Sequence, residues 1–124
     1  MMPYERFSAW QISHRLVLQV YRATRRFPSD ERYGLSAQAR RAAFSAAASI
    51  AEGSARRGSR EFRRYLDISL GSLSELSYTL RLAHELDLLT DGEWRDLNEL
   101  RDHAGRLTWR LSQSLRVAKP RAEP

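Results

Sequence analysis

The sequence predicts an all-α protein: an antiparallel up-down-up-down four-helix bundle in a single domain. Three observations carry that expectation. Prolines occur only at positions 3, 28, 120 and 124, so none interrupts a long periodic segment. Apolar residues recur at steps of three and four along four separate stretches. No segment alternates in the manner of a half-buried strand, and no internal repeat or low-complexity block stands out.

The first helix is expected over residues 8–27, with Trp10, His14, Val17, Tyr21 and Thr24 as its stripe and Leu16, Val20 and Phe27 beside them. Pro28 stops it, since the residue before a proline avoids helical backbone. "PSDERYG" reads as a turn. Ser36 is placed to cap a second helix over 36–54, whose inner stripe of Ala39, Ala43, Ala46 and Ile50 is mostly small. Ser59 is placed to cap a third over 59–88, where Phe62, Leu66, Ser69, Leu73, Leu76, Leu80 and Ala83 keep a heptad rhythm. Thr90 and Glu93 form a capping box that opens the fourth, over 91–117. Its stripe is Trp94, Leu97, Leu100, Ala104, Leu107, Leu111 and Leu115, and residues 118–124 read as a frayed tail. Short connections make neighbouring helices antiparallel.

Two kinds of glycine are expected. Gly71 lies inside the third helix, where glycine costs about 1 kcal/mol relative to alanine, so a close helix contact is its expected reason. Gly53 and Gly58 are read as the stop of one helix and the start of the next. "GSARRGSR", residues 53–60, has the glycine spacing of a phosphate-binding loop, but Ser59 stands where lysine is required and the stretch follows a helix rather than a strand. It is therefore read as a corner.

The 124 residues suffice for one modest core, and 42% hydrophobic with 29% charged residues is ordinary for a globular chain. The absence of cysteine removes disulfides, thiol catalysis and thiolate zinc sites. No apolar run approaches the ~18 residues of a membrane span, and "MMPYERFSAW" lacks a signal-peptide core, so the cytoplasm is the expected address. His14, His84 and His103 have no glutamate three positions earlier, which excludes the di-metal bundle pattern. The serines, including Ser69, Ser72, Ser74 and Ser77, sit in neither G-x-S-x-G nor S-x-x-K and read as helix-contact or surface residues. No acid, base and nucleophile converge, so a non-enzymatic protein without cofactor or metal is expected. Trp10, Trp94 and Trp109 fall on or near inner stripes and read as core or interface residues rather than a base-stacking platform.

The positive charge is nearly all arginine, Lys119 being the one lysine in a chain of net charge +6. Residues 36–66 carry seven arginines (Arg40, Arg41, Arg56, Arg57, Arg60, Arg63, Arg64) against Glu52 and Glu61, a balance of +5. Residues 67–103 carry nine acids against three arginines, a balance of −6, and residues 104–124 return to +4. In an antiparallel bundle the turn near residue 57 shares an end with the close of the fourth helix. Arg56, Arg57, Arg60, Arg63 and Arg64 are thus expected near Arg110, Arg116 and Lys119, with part of the opposite end, around residue 90, acidic. Such a basic end suits nucleic-acid backbone or an acidic protein surface.

The block "QARRAAFSAAASIAEGSARRGSREFRRYLDISLGSLSEL" resembles the 23S rRNA intervening-sequence proteins, also called the four helix bundle protein family. The shared features are Arg40-Arg41-Ala42-Ala43, Ser45, Ile50-Ala51-Glu52-Gly53, Arg57, Phe62, Leu66, Gly71-Ser72 and Glu75. The N-terminal stretch from Trp10 through Pro28 to Tyr33-Gly34-Leu35 is similar too, and the likeness spans about residues 8–115. Family members often carry Ile-Pro-Ala-Asn where this chain has Ala46-Ala47-Ala48-Ser49, so a straighter second helix is expected and any polar role of the asparagine is lost. The resemblance implies a cytosolic bundle that assembles as a ring-like homopentamer. It also implies kinship with the accessory variability determinants of diversity-generating retroelements, basic proteins that partner a reverse transcriptase and nucleic acid. It supplies no catalytic residues.

The expected function is a homo-oligomeric bundle that holds RNA or DNA backbone through Arg56, Arg57, Arg60 and Arg64, with Arg40, Arg41 and Arg63 in second rank. Arg40, Arg41, Glu52 and Glu75 read equally well as pairs within the bundle or between subunits. The alternative is a scaffold that docks an acidic protein partner at the same end.

Overall fold

The structure is a computed structural model that describes residues 1–117; the expected tail at 118–124, with Lys119, lies outside them. A short 3₁₀ turn over Pro3–Arg6 leads into α1 (Ser8–Thr24), and a second over Ser29–Glu31 precedes α2 (Leu35–Ser54). Then come α3 (Ser59–Glu85) and α4 (Asp91–Val117). Each helix packs on its neighbours in sequence and α1 closes against α4, while the diagonal pairs stand apart, as in an up-down-up-down bundle. Among the described residues no helix is long and apolar enough to cross a membrane.

The core follows the stripes of α2, α3 and α4 closely. Leu16, Val20, Ile50, Leu66, Leu76 and Leu80 are almost wholly buried, each contributing about 1.5–3 kcal/mol relative to an exposed side chain. On α1 the buried face differs from the expected one. Ile12, Leu16, Val20, Ala23 and Phe27 point inward, whereas His14 and Tyr21 are exposed. Trp10 and His14 instead stack on each other at 4.8 Å and 10°, an amphipathic pair at the boundary of the core.

The small residues of α2 let α3 come close, and their contact is the most extensive in the bundle. Ser69 Oγ, fully buried, donates to the Ala46 carbonyl at 2.8 Å, and the hydroxyls of Ser45 and Ser72 meet at 2.7 Å. Segment 46–49 continues α2 without interruption.

The helix ends differ from the expected caps in instructive ways. Gly34, not Ser36, holds the N-cap of α2; the Leu35 amide donates to Glu31 Oε1 at 3.0 Å, and Ser36 is buried in the first turn. Gly58 (φ 82°) precedes α3, and Ser59 is its first residue without capping it. The capping box of α4 is present: the Thr90 amide donates to Glu93 Oε1 at 2.9 Å, and the Glu93 amide donates to Thr90 Oγ1 at 3.1 Å. The third helix stops at Glu85 instead of 88, because Asp87 turns left-handed (φ 64°). The Leu88 amide then donates to the Ala83 carbonyl and the Asp87 amide to that of His84, the paired bonds of a Schellman close.

Gly71 corrects a further expectation. It is exposed on the outer side of α3, and an added Cβ would meet nothing within 4 Å. Gly53 has the role expected of Gly71. It lies inside α2, buried, where a Cβ would stand 2.6 Å from Tyr65 Cβ and 3.0 Å from Phe62 Cδ1.

Candidate functional site

The end of the bundle bearing the α2–α3 turn rests on its own small core. Ala9, Ile50, Phe62 and Leu66 are buried there, with Phe7, Trp10, Leu107, Leu111 and Leu115 packed around them. That packing brings the N-terminal segment, the 55–58 turn and the last turns of α4 to one end. Gly53 seats α2 against Phe62 and Tyr65, and Gly58 swings the chain back with the positive φ that suits glycine.

The arginines on this platform fall into distinct groups. The guanidinium groups of Arg56 and Arg64 lie 5.1 Å and 4.7 Å from the centre of the Tyr65 ring. Each is also joined to a carboxylate one turn away, Arg56 to Glu52 at 3.3 Å and Arg64 to Glu61 at 2.9 Å. The hydrogen bond from Arg64, aided by the charges of Arg64, Arg56 and Arg60, holds the Glu61 carboxyl below the usual carboxylate range. The same bond raises Arg64. Arg57 and Arg60 are exposed and have no acidic partner among the described residues. They adjoin the first turn of α3, whose N-cap Gly58 supplies no side-chain bond to the free amides.

The structure divides the seven arginines expected to act together. Arg63 is half-buried rather than displayed, and its Nε is enclosed without a hydrogen-bond partner. Arg40 is half-buried and spent on α1: its Nε donates to Thr24 Oγ1 at 2.8 Å and its Nη2 to the Tyr21 carbonyl at 3.4 Å, with the guanidinium 4.6 Å from the centre of the Tyr21 ring. It ties α2 to the C-terminal turn of α1. Arg41 is exposed beside Gln38. Both precede Arg56 by more than four helical turns, roughly 22–24 Å along the axis, and stand apart from the basic end.

One member of that end was missed by sequence reasoning. Arg6 joins it because Phe7 packs edge-on against Phe62 at 5.5 Å, a contact that no periodicity in residues 1–7 announces. Arg116 is exposed at the close of α4, whereas Arg110 lies further back, on the α3–α4 side. The opposite end, expected to be acidic in part, pairs its acids with cations. Arg26 of the α1–α2 connection pairs there with Glu93, and His84 Nε2 meets Asp91 Oδ1 at 2.7 Å. The His84 bond and charge hold Asp91 below its ordinary range. Among the described residues no three histidine or carboxylate side chains are grouped to hold a metal ion.

Residues 5–110 match the sequence profile described as 23S rRNA-intervening sequence protein. The chain belongs to that family. No curated protein matches it. A solved structure from Bacteroides thetaiotaomicron, described as a protein with unknown function from the S23 ribosomal protein family, superposes with a TM-score of 0.76 at 18% identity. The match covers 85% of this chain and 98% of that one. At that identity the likeness speaks for the fold of this family member, not for its activity.

Proposed function

We propose that the protein is a non-enzymatic, homo-oligomeric bundle whose basic end holds the backbone of RNA or structured DNA without strong sequence preference. The observation that carries this reading is the pair Arg57 and Arg60, two exposed guanidinium groups without acidic partners among the described residues, at a helix start that lacks a side-chain cap. Arg56 and Arg64 border them, held against Tyr65. Planar guanidinium donors suit phosphate oxygens, and a row of them gives sequence-independent affinity. The kinship with accessory variability determinants implied by the shared residues points the same way.

Self-association finds support in the outer side of α2, which is apolar around Arg41. The inner stripe of α2 fills the core, while Ala37, Phe44, Ala48 and Ala51 line its outer side, with Phe44 60% exposed. Small residues around one exposed aromatic ring leave room for a neighbouring helix, and a second copy would supply one.

The test is binding of a labelled RNA across a salt series. Replacing Arg57 and Arg60 by glutamine should lower the slope of log K against log salt by up to about two per subunit engaged, with helicity unchanged. Arg40→Gln should leave the slope alone. Affinity that ignores salt, or survives the double replacement intact, would reject the proposal. Salt-sensitive binding of an acidic protein with no RNA binding would favour the scaffold instead.

A further inference from the structure

The three tryptophans do not share one environment. Trp10 stacks on His14, and Trp94 stacks on His84 at 4.6 Å and 7°. Trp109, expected in the core or at an interface, is 55% exposed and has no ring or guanidinium partner among the described residues. It stands on the outer side of α4 beside an open groove of about 480 Å³ between α3 and α4.

The groove has an apolar floor and a basic rim. Leu70, Leu73 and Gly105 line it from below, and Arg106 and Arg110 flank Trp109. The space above Gly105 is open, since a Cβ there would meet only Leu73 Cδ1, at 3.9 Å. Arg106 is joined to Asp102, while Arg110 is exposed with no acidic partner among the described residues. With Arg101 also lining it, three arginines face one aspartate.

We infer that this groove seats one unpaired nucleobase of a single strand, stacked on Trp109, with the adjoining phosphates on Arg110 and Arg106. The inference rests on the nucleic-acid reading above and narrows it to strands with unpaired bases. An aromatic face accepts any base, because every base has a π-face, and arginine alongside adds both phosphate contacts and stacking. A base inside a duplex is already stacked and cannot enter. The surplus of arginine favours a polyanion over the same groove of a second copy, which would set like charge against like.

The experiment compares a 12-nucleotide oligouridylate with a 12-base-pair RNA duplex, using the full chain and its Trp109→Leu and Arg110→Gln variants. Trp109→Leu should weaken oligouridylate binding about 10-fold to 100-fold and duplex binding hardly at all, and should remove most of the tryptophan quenching that the oligomer causes. Arg110→Gln, at an exposed site that leaves the fold intact, should weaken oligouridylate several-fold. Equal loss for both probes, or loss for neither, overturns the inference while the basic end keeps its role. A change of assembly mass in Trp109→Leu also overturns it, by showing that a second copy covers the groove. If the unaltered protein binds neither probe, the nucleic-acid reading itself fails and the groove falls with it.

Discussion

Gly53 and Tyr65 meet at a separation that no side chain on Gly53 would allow: a Cβ there would lie 2.6 Å from Tyr65 Cβ. The opposing atom is next to the backbone and cannot swing away. Gly53→Ala should therefore destabilise the fold by about 1–3 kcal/mol, the usual cost of overpacking. Gly71→Ala should do the opposite, gaining up to about 1 kcal/mol, because its outer side is open and alanine is the better helix former. Urea unfolding of the two variants checks the pair, and equal midpoints would show that α2 and α3 are not packed as described.

Asp87 closes α3 in a left-handed conformation that a side chain disfavours, and its carboxylate sits at the negative end of the helix. Asp87→Gly should raise stability by about 0.5–1 kcal/mol. A lower unfolding midpoint would mean that the aspartate side chain makes a compensating contact.

Thr90 satisfies the Glu93 amide at 3.1 Å. Thr90→Ala should lower stability by about 1 kcal/mol, the ordinary cost of a lost N-cap, and Thr90→Ser should restore most of it in the same thermal melt.

Asp91 is held below its ordinary range by the hydrogen bond and charge of His84. A carboxyl depressed in the folded state adds stability above its unfolded pKa of about 3.9 and loses it as pH falls through the folded value. Stability should thus decline on acidification below about pH 4, and Asp91→Asn should flatten that part of the decline. Urea midpoints of both proteins measured on either side of that pH decide it.

Phe44 is the largest side chain on the outer side of α2. Phe44→Glu should shift the particle mass toward that of one chain while leaving helicity unchanged, as read by light scattering and circular dichroism. An unchanged mass would place any subunit contact elsewhere.

Much of the fold was legible because helical periodicity is a property of one segment at a time. The heptads of α3 and the leucine stripe of α4 stated their inward faces without help from neighbours. On α1 the rule misled, since Trp10, His14 and Tyr21 step like a core stripe yet are amphipathic rings that lie at or beyond its edge. The phase that puts Leu73 and Leu76 inside α3 also puts Gly71 outside.

The sequence alone determined the bundle, the capping box at Thr90 and Glu93 and the corner at Gly58, because each rests on residues within a few positions of one another. Only the tertiary structure decided which glycine meets a neighbouring helix, that Arg40 is tied to Thr24, that Arg63 is turned in and that Trp109 stands free. Those outcomes depend on the register of one helix against another. A shift of one position along an axis exchanges buried for exposed, and no stretch of a single helix encodes that register by itself.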